Sequence, residues 1–213
     1  MGNNILLIDK PEGITSFDVI RQLKYKLNVK KMGHAGTLDP NASGLLIIGI
    51  EEETKELKNL LGLPKIYTAE ILLGKKTDTG DITGKVIEEK IIPELGEEKV
   101  KKALKELEGD QVYEVSLYSA MKRKGKPLYK YARAGIEITK PKRVMTVLHT
   151  DLKKWVSDTH IIEVEFEVGS GTYIRSLAEV IGEKLGTVAT LNNLRRTSIG
   201  NLKLENAKKI EDF

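Results

Sequence analysis

The chain contains no cysteine, which excludes disulfides, thiolate zinc sites and a cysteine nucleophile together. Histidine is nearly as scarce. His34, His149 and His160 are scattered and build no metal-binding spacing. No apolar run approaches the ~20 residues that a bilayer-spanning helix needs. The opening MGNNILLIDK lacks the basic leader and long apolar stretch of a signal peptide. Internal repeats, low-complexity tracts and linkers are also missing. These absences point to a cytoplasmic protein without a membrane partner.

What remains is an ordinary globular composition. Hydrophobic residues are 40% and charged residues 31% of 213 positions, enough for one substantial core and too apolar for a disordered chain. Lysine and arginine number 35 against 31 acidic residues, a net charge of +4. So small an excess allows a polyanionic partner only if the positive charge is gathered on one face.

Residues 4–9 read as a buried strand, followed by the turn KPEGITS. Thr15 or Ser16 is suited to cap a helix reaching Leu27, with Phe17, Ile20, Leu23 and Leu27 along one stripe. A glycine-rich loop from Gly33 to Gly44 leads into the apolar strand LLIIGI. Residues 52–61 are expected to be helical and to stop at Gly62; 65–73 and 84–90 read as strands, and 97–108 as a charged helix. Segment 110–145 is basic, tyrosine-rich and irregular in pattern. Ile162, Val164, Phe166 and Val168 alternate with glutamates, the clearest strand signal present. A helix from about Thr172 to Leu185 places Ile174, Leu177, Ala178, Ile181 and Leu185 on one face, and Gly186 ends it. Strands and helices mix without regular alternation, so the expected class is α+β, with a large, mostly antiparallel mixed sheet flanked by helices.

Two segments imitate ligand-binding loops. GDITGK (80–85) is one residue short of a phosphate loop, and Val86 stands where a magnesium-binding hydroxyl belongs. Asp78 and Asp81 lack the acidic alternation and closing glutamate of a calcium loop. Both are expected to be hairpin turns, and no cofactor motif is left.

The most informative segment is GHAGTLDPNASGLLIIGI, residues 33–50. Three glycines and Pro40 bend the chain around Asp39 immediately before an apolar strand. A bent loop on a rigid sheet is suited to presenting one side chain to a ligand. Taken alone, Asp39-Pro40 is a common turn and His34 a common surface or packing residue.

This block resembles the catalytic motif of the TruB family of pseudouridine synthases, and it matches without a gap. Further family-like blocks follow in order: LLIDKPEGITSFD (6–18), KIYTAEILLGKKTDTGDITG (65–84), LYSAMKRKGKPLYKYARAG (117–135), GTYIRSLAEVIGEKLG (171–186) and LRRTSIG (194–200). The resemblance covers essentially the whole chain. It implies the pseudouridine-synthase fold, and an enzyme that isomerises the uridine at position 55 in the T loop of tRNA without a cofactor. Asp39 would be the catalytic carboxylate and Arg175 its ion-pair partner. Tyr67 would stack on the target base, Tyr173 would contact substrate, and Leu194 would supply an apolar contact. His34 would fill the space left when the base is extruded. The insertion at about 110–145 would grip the T arm through Lys122, Arg123, Lys124, Lys126, Lys130, Arg133, Lys140, Lys142 and Arg143. A monomer with no obligate protein partner is the matching expectation.

Two features depart from the family pattern. Val115-Ser116 stands where two prolines commonly precede the YSA block. The chain also reads as a single catalytic domain over 1–213, ending at Phe213 without the small C-terminal RNA-binding domain of the PUA type that many relatives carry. Two rival readings remain: a guide-RNA-dependent synthase of the dyskerin/Cbf5 kind, and a non-enzymatic tRNA-binding chaperone.

Overall fold

The computed structural model of the protein describes residues 4–119 and 121–213. The first three residues of the leader reading and Ala120 of the YSA block lie outside them. The strands are β1 (Ile5–Lys10), β2 (Met32–Ala35), β3 (Ala42–Ile50), β4 (Lys65–Leu73), β5 (Lys75–Thr77), β6 (Val86–Glu89), β7 (Gly109–Glu114), β8 (Lys122–Arg123), β9 (Lys126–Pro127), β10 (Lys142–Val156), β11 (Ile161–Val168), β12 (Ala189–Ile199) and β13 (Leu202–Lys203). The helices are α1 (Ser16–Leu27), α2 (Leu57–Leu61), α3 (Glu97–Lys105), α4 (Leu128–Arg133) and α5 (Ile174–Lys184). One sheet follows the path β1-β3-β12-β4-β11-β10-β7, with β2 on β3 and β13 on β12. β1–β3, β2–β3 and β7–β10 are antiparallel and β3–β12 is parallel, so the mixed α+β class holds.

The chain divides into two compact units. The first comprises Met1–Thr68, Glu165–Ser170 and Asn193–Phe213. Every residue of β3 is buried, which explains its unbroken apolar run. Leu46 and Ile48 pack with Ile8 of β1 and with Val19, Ile20 and Leu23 of α1. Leu45 and Ile47 face the opposite way, toward Leu57 and Ile199. Burying each such side chain contributes about 1.5–3 kcal/mol. Thr15 caps α1 in a reciprocal pair with Asp18, so Thr15 rather than Ser16 is the cap.

The inward stripe of α1 differs from the expected one. Ile20 and Leu23 are buried as expected, but Phe17 is 64% exposed and Leu27 half-buried, and Ser16 and Val19 complete the inward face instead. That spacing of three and four is a regular helical face; its first position is simply filled by a polar residue. Residues 51–61 also form less helix than expected, a 3₁₀ turn over Glu51–Lys55 followed by the short α2.

The second unit comprises Ala69–Val164 and Gly171–Asn192. The expected face of α5 is buried at every position, from Ile174 to Leu185, and Gly186 follows with φ +83°. α5 begins at Ile174 rather than Thr172. In β11 the apolar positions are buried as expected, while the alternating glutamates are half-buried rather than open to water. Segment 110–145 is more regular than its sequence suggests. β7 pairs with β10 along its length, and the small β8–β9 hairpin and α4 lie between them in sequence. Of the nine basic residues singled out there, Lys140 is half-buried and the rest are exposed. The GDITGK turn lies between the paired β5 and β6. Asp78 Oδ1 accepts from the backbone of Lys85 and Asp81 Oδ1 from that of Thr83, as hairpin-turn carboxylates do.

Candidate active site

In the first unit, the bend between β2 and β3 is fastened on both sides of Asp39. The Ser16 hydroxyl accepts from the backbone N–H of Leu38 at 3.0 Å and donates to its carbonyl at 3.1 Å. The Pro40 carbonyl accepts from the Gly13 N–H at 2.9 Å and from Lys10 Nζ at 3.3 Å. The Asp39 carbonyl itself accepts from Ala42 N–H, closing the turn. The residues before and after the carboxylate are thus immobilised by bonds that do not involve it, and the Asp39 side chain is half-buried. Such a backbone is held in place independently of the side chain it carries.

Beneath this bend lies Arg196, which is 1% exposed. Its Nε donates to Leu45 O at 2.8 Å and its Nη2 to Gly36 O at 2.9 Å, so one rigid guanidinium ties the two ends of the bend together. Its Nη1 lies 3.5 Å from the Tyr67 hydroxyl, and its Cζ 5.9 Å from the centre of that ring. Tyr67, on β4, is buried at 8% exposure, held by this cation from one side. Gly44 admits the strand that carries Arg196. With φ +101°, a Cβ there would lie 2.3 Å from the Arg196 carbonyl. The β3–β12 register also places Leu194 opposite Ala42, three residues from Asp39. Leu194 is buried at 9% exposure.

His34 is half-buried on β2, opposite Ile48. Burial, and secondarily the charge of Arg196, push its pKa below 6.5, so the ring is neutral at pH 7. Its Nδ1 is buried with no hydrogen-bond partner among the described residues. The first unit therefore holds His34, Asp39, Tyr67 and Leu194, with the buried Arg196 set against Tyr67 and bonded to Gly36 and Leu45 on either side of the bend.

Two further buried cations belong to this unit. Lys10 is fully buried, and its Nζ donates to the carbonyls of Pro11, Ile14 and Pro40. Lys65 donates to those of Leu61 and Leu63. Burial lowers the pKa of each to about 8, and for Lys10 the negative charges of Glu12 and Asp39 oppose that shift. The unfolded chain holds these protons to about 10.5, so the cost of burying the charges is full below pH 8 and is relieved between 8 and 10.5. Stability from this source therefore rises with pH across that window. The positive charge beside Asp39 is lost over the same range. Turnover is expected to fall with one ionisation near pH 8 while the melting temperature does not. A pH–rate profile checks this. Lys10→Met should run at the low plateau without the alkaline limb, and Lys65→Met should keep it.

In the second unit, Tyr173 precedes α5 and is half-buried, and its backbone N–H donates to Met145 Sδ at 3.4 Å. Arg175, in the first turn, is 5% exposed and so is not the solvated arginine usual on a helix surface. Its Nη1 donates to Thr79 O at 2.9 Å and to Ser116 Oγ at 3.3 Å, and its Nη2 to Tyr118 O at 3.0 Å. Its Nε lies 4.0 Å from Asp81 Oδ2. Asp81 thus has a role beyond the turn assigned to it from sequence, since its second oxygen faces the guanidinium. Asp81, Lys10, Lys65 and Arg196 are the site-region residues that sequence reasoning missed. For Arg196 a signal exists: Leu194, Arg196 and Ser198 occupy alternate, inward positions of β12.

Comparison with known proteins supplies the rest. Residues 24–174 match the model of the TruB family pseudouridylate synthase (N terminal domain). The tRNA pseudouridine synthase B of Bacillus licheniformis is 42% identical over 216 residues, an alignment covering all of this chain and 70% of that protein. That of Endomicrobium trichonymphae is 40% identical, covering 99% of this chain and 90% of the relative. Among solved structures, a chain in a Cbf5–Nop10–Gar1 complex is 30% identical, with a TM-score of 0.77 over 98% of this chain. A chain in an H/ACA RNP bound to a substrate RNA containing 2′-deoxyuridine is 28% identical, with a TM-score of 0.73. This chain spans only about half the length of those two, 53% and 51%. The match extends well past half of the sequence and includes the bend built around Asp39, so the chain belongs to the TruB family of pseudouridylate synthases.

Proposed function

We propose that this protein isomerises the uridine at position 55, in the T loop of tRNA, to pseudouridine, with Asp39 as the reacting carboxylate. The observation that carries the reading is the setting of Asp39: a backbone fastened at Leu38 and Pro40, a half-buried side chain, and a buried tyrosine and leucine in the same unit. The reaction breaks the bond from uracil N1 to ribose C1′, turns the base, joins C5 to C1′ and releases the C5 proton. An ionised carboxylate can attack the sugar or base, or assist removal of that proton. The remaining groups hold the nucleotide. By family likeness Tyr67, Tyr173 and Leu194 are assigned to the nucleotide, and Arg175 is the cation assigned to the carboxylate.

The target base sits inside a folded loop, and extruding it costs a few kcal/mol of stacking. A neutral imidazole at His34 suits the vacated space because it can both donate and accept hydrogen bonds. The exposed lysines and arginines of segment 110–145 supply phosphate contacts, which makes binding salt-dependent. Relatives about 40% identical over the whole chain, each named tRNA pseudouridine synthase B, support tRNA as substrate. Those names also favour a tRNA substrate over the guide-RNA reading that the Cbf5 likeness suggests, and the matching expectation is a monomer acting alone in the cytoplasm.

Arg175→Met tests the assignment of roles. Single-turnover rate should fall by roughly 100-fold or more, as for loss of an electrostatic group in an active site, with tRNA affinity within threefold of wild type. Loss of affinity at an unchanged rate would make Arg175 a phosphate contact instead.

A further inference from the structure

We propose that Ser116 is a positioning residue for Arg175, a hydroxyl hub that sets the guanidinium in the orientation the reaction uses. The inference rests on the role given to Arg175 above. Ser116 lies between β7 and β8 and is 7% exposed. Its hydroxyl is saturated. It accepts from Arg175 Nη1 at 3.3 Å and from the Tyr118 backbone N–H at 3.2 Å, and it donates to Thr79 O at 3.3 Å. A serine hydroxyl offers one donor and two acceptor sites, and all three are used.

These bonds close a circuit. Thr79 O accepts from both Arg175 and Ser116, while Tyr118 gives its N–H to Ser116 and its carbonyl to Arg175. Ser116 thereby fastens the Thr79 turn and the Tyr118 segment to the guanidinium at once. Two carbonyls and a hydroxyl, all neutral, fix the plane of the guanidinium without themselves neutralising its charge. Asp81, at 4.0 Å, is too far for a hydrogen bond and cannot set that plane alone. Without the hydroxyl, the Tyr118 N–H loses this acceptor and Arg175 Nη1 loses one of the groups that hold it. The guanidinium can then turn about the remaining bonds, and small misplacements of a catalytic charge are costly.

The test is a double-mutant cycle in the intact protein, read by single-turnover pseudouridine formation and tRNA affinity on an unmodified transcript. Ser116→Ala should lower the rate about tenfold, with affinity within twofold, and Ser116→Thr, which keeps the hydroxyl, should recover most of the loss. In an Arg175→Met background, Ser116→Ala should cost nothing further. The proposal is overturned if Ser116→Ala runs at the wild-type rate, if Ser116→Thr is equally impaired, or if Ser116→Ala costs the same factor with or without Arg175. A wild-type rate for Arg175→Met alone overturns the role of Arg175 itself, a separate outcome.

Discussion

Asp39→Ala is expected to bind tRNA nearly as tightly as the native protein and to make no pseudouridine, a rate loss of at least about four orders of magnitude. The geometry separates the two effects. The bend that carries Asp39 is held by Ser16, Gly13 and Lys10, each bonded to the backbone of Leu38 or Pro40. None of those bonds uses the carboxylate, so the bend itself should stay in place when it is removed. Affinity comes from phosphate contacts, to which an acidic side chain adds nothing. Asp39→Asn preserves shape without the charge and should be equally inactive. Mass spectrometry of digested transcript checks both, and product at native yield from either variant would reject Asp39 as the reacting group.

Arg196→Met is expected to damage stability and rate together. It takes the charged donor from the Leu45 and Gly36 carbonyls, at about 1–3 kcal/mol each, and removes the cation lying over Tyr67. A loss of roughly 3 kcal/mol corresponds to a fall of about 6–12 °C in melting temperature for a chain of this size. The bend loses the bond joining its two ends, and a displacement near 1 Å at the carboxylate costs about 100-fold in rate. Arg196→Lys should not restore either property, since one ammonium cannot span two carbonyls as a planar fork does. The neighbouring Arg195 is the control. It pairs with Asp9 at 2.7 Å but is 41% exposed, so Arg195→Met should cost under about 1 kcal/mol. A melting temperature within 2 °C of native for Arg196→Met, roughly the shift of half a kcal/mol, would contradict the structural role given to it.

Much of the fold is legible in residue pattern. The alternation in β11, the stripe of α5 and the unbroken run of β3 each declare their burial. The failures share a cause, which is that pattern reading assigns polar residues to the outside. Ser16 takes an inward position on α1 because its hydroxyl serves both backbone groups of Leu38, and Phe17 is left exposed. Arg196 is buried because carbonyl oxygens of the distant Gly36 and Leu45 converge on it, which no local pattern records, whereas Lys65 folds back on its own neighbours Leu61 and Leu63, and Lys10 on Pro11 and Ile14 as well as the distant Pro40. The long strand β10 hides for the opposite reason. Val144 and Leu148 are apolar yet exposed, so its alternation with Met145 and Val147 is blurred.

The site shows the same division. Asp39 is conspicuous because the glycines and Pro40 around it bend the chain for a purpose. His34, Tyr67, Tyr173, Arg175 and Leu194 became candidates through family likeness, since each alone is an ordinary side chain. The Asp81–Arg175 approach was masked by a turn whose local hydrogen bonds account for Asp81 without it.

The most direct test is release of tritium from tRNA transcript labelled at uridine C5, since forming the carbon–carbon glycosidic bond expels that hydrogen. Native protein, with no cofactor, guide RNA or second protein added, should release one equivalent per transcript, and none when position 55 is changed to cytidine. Release that persists in the cytidine transcript, or no release from the native one, would contradict the account.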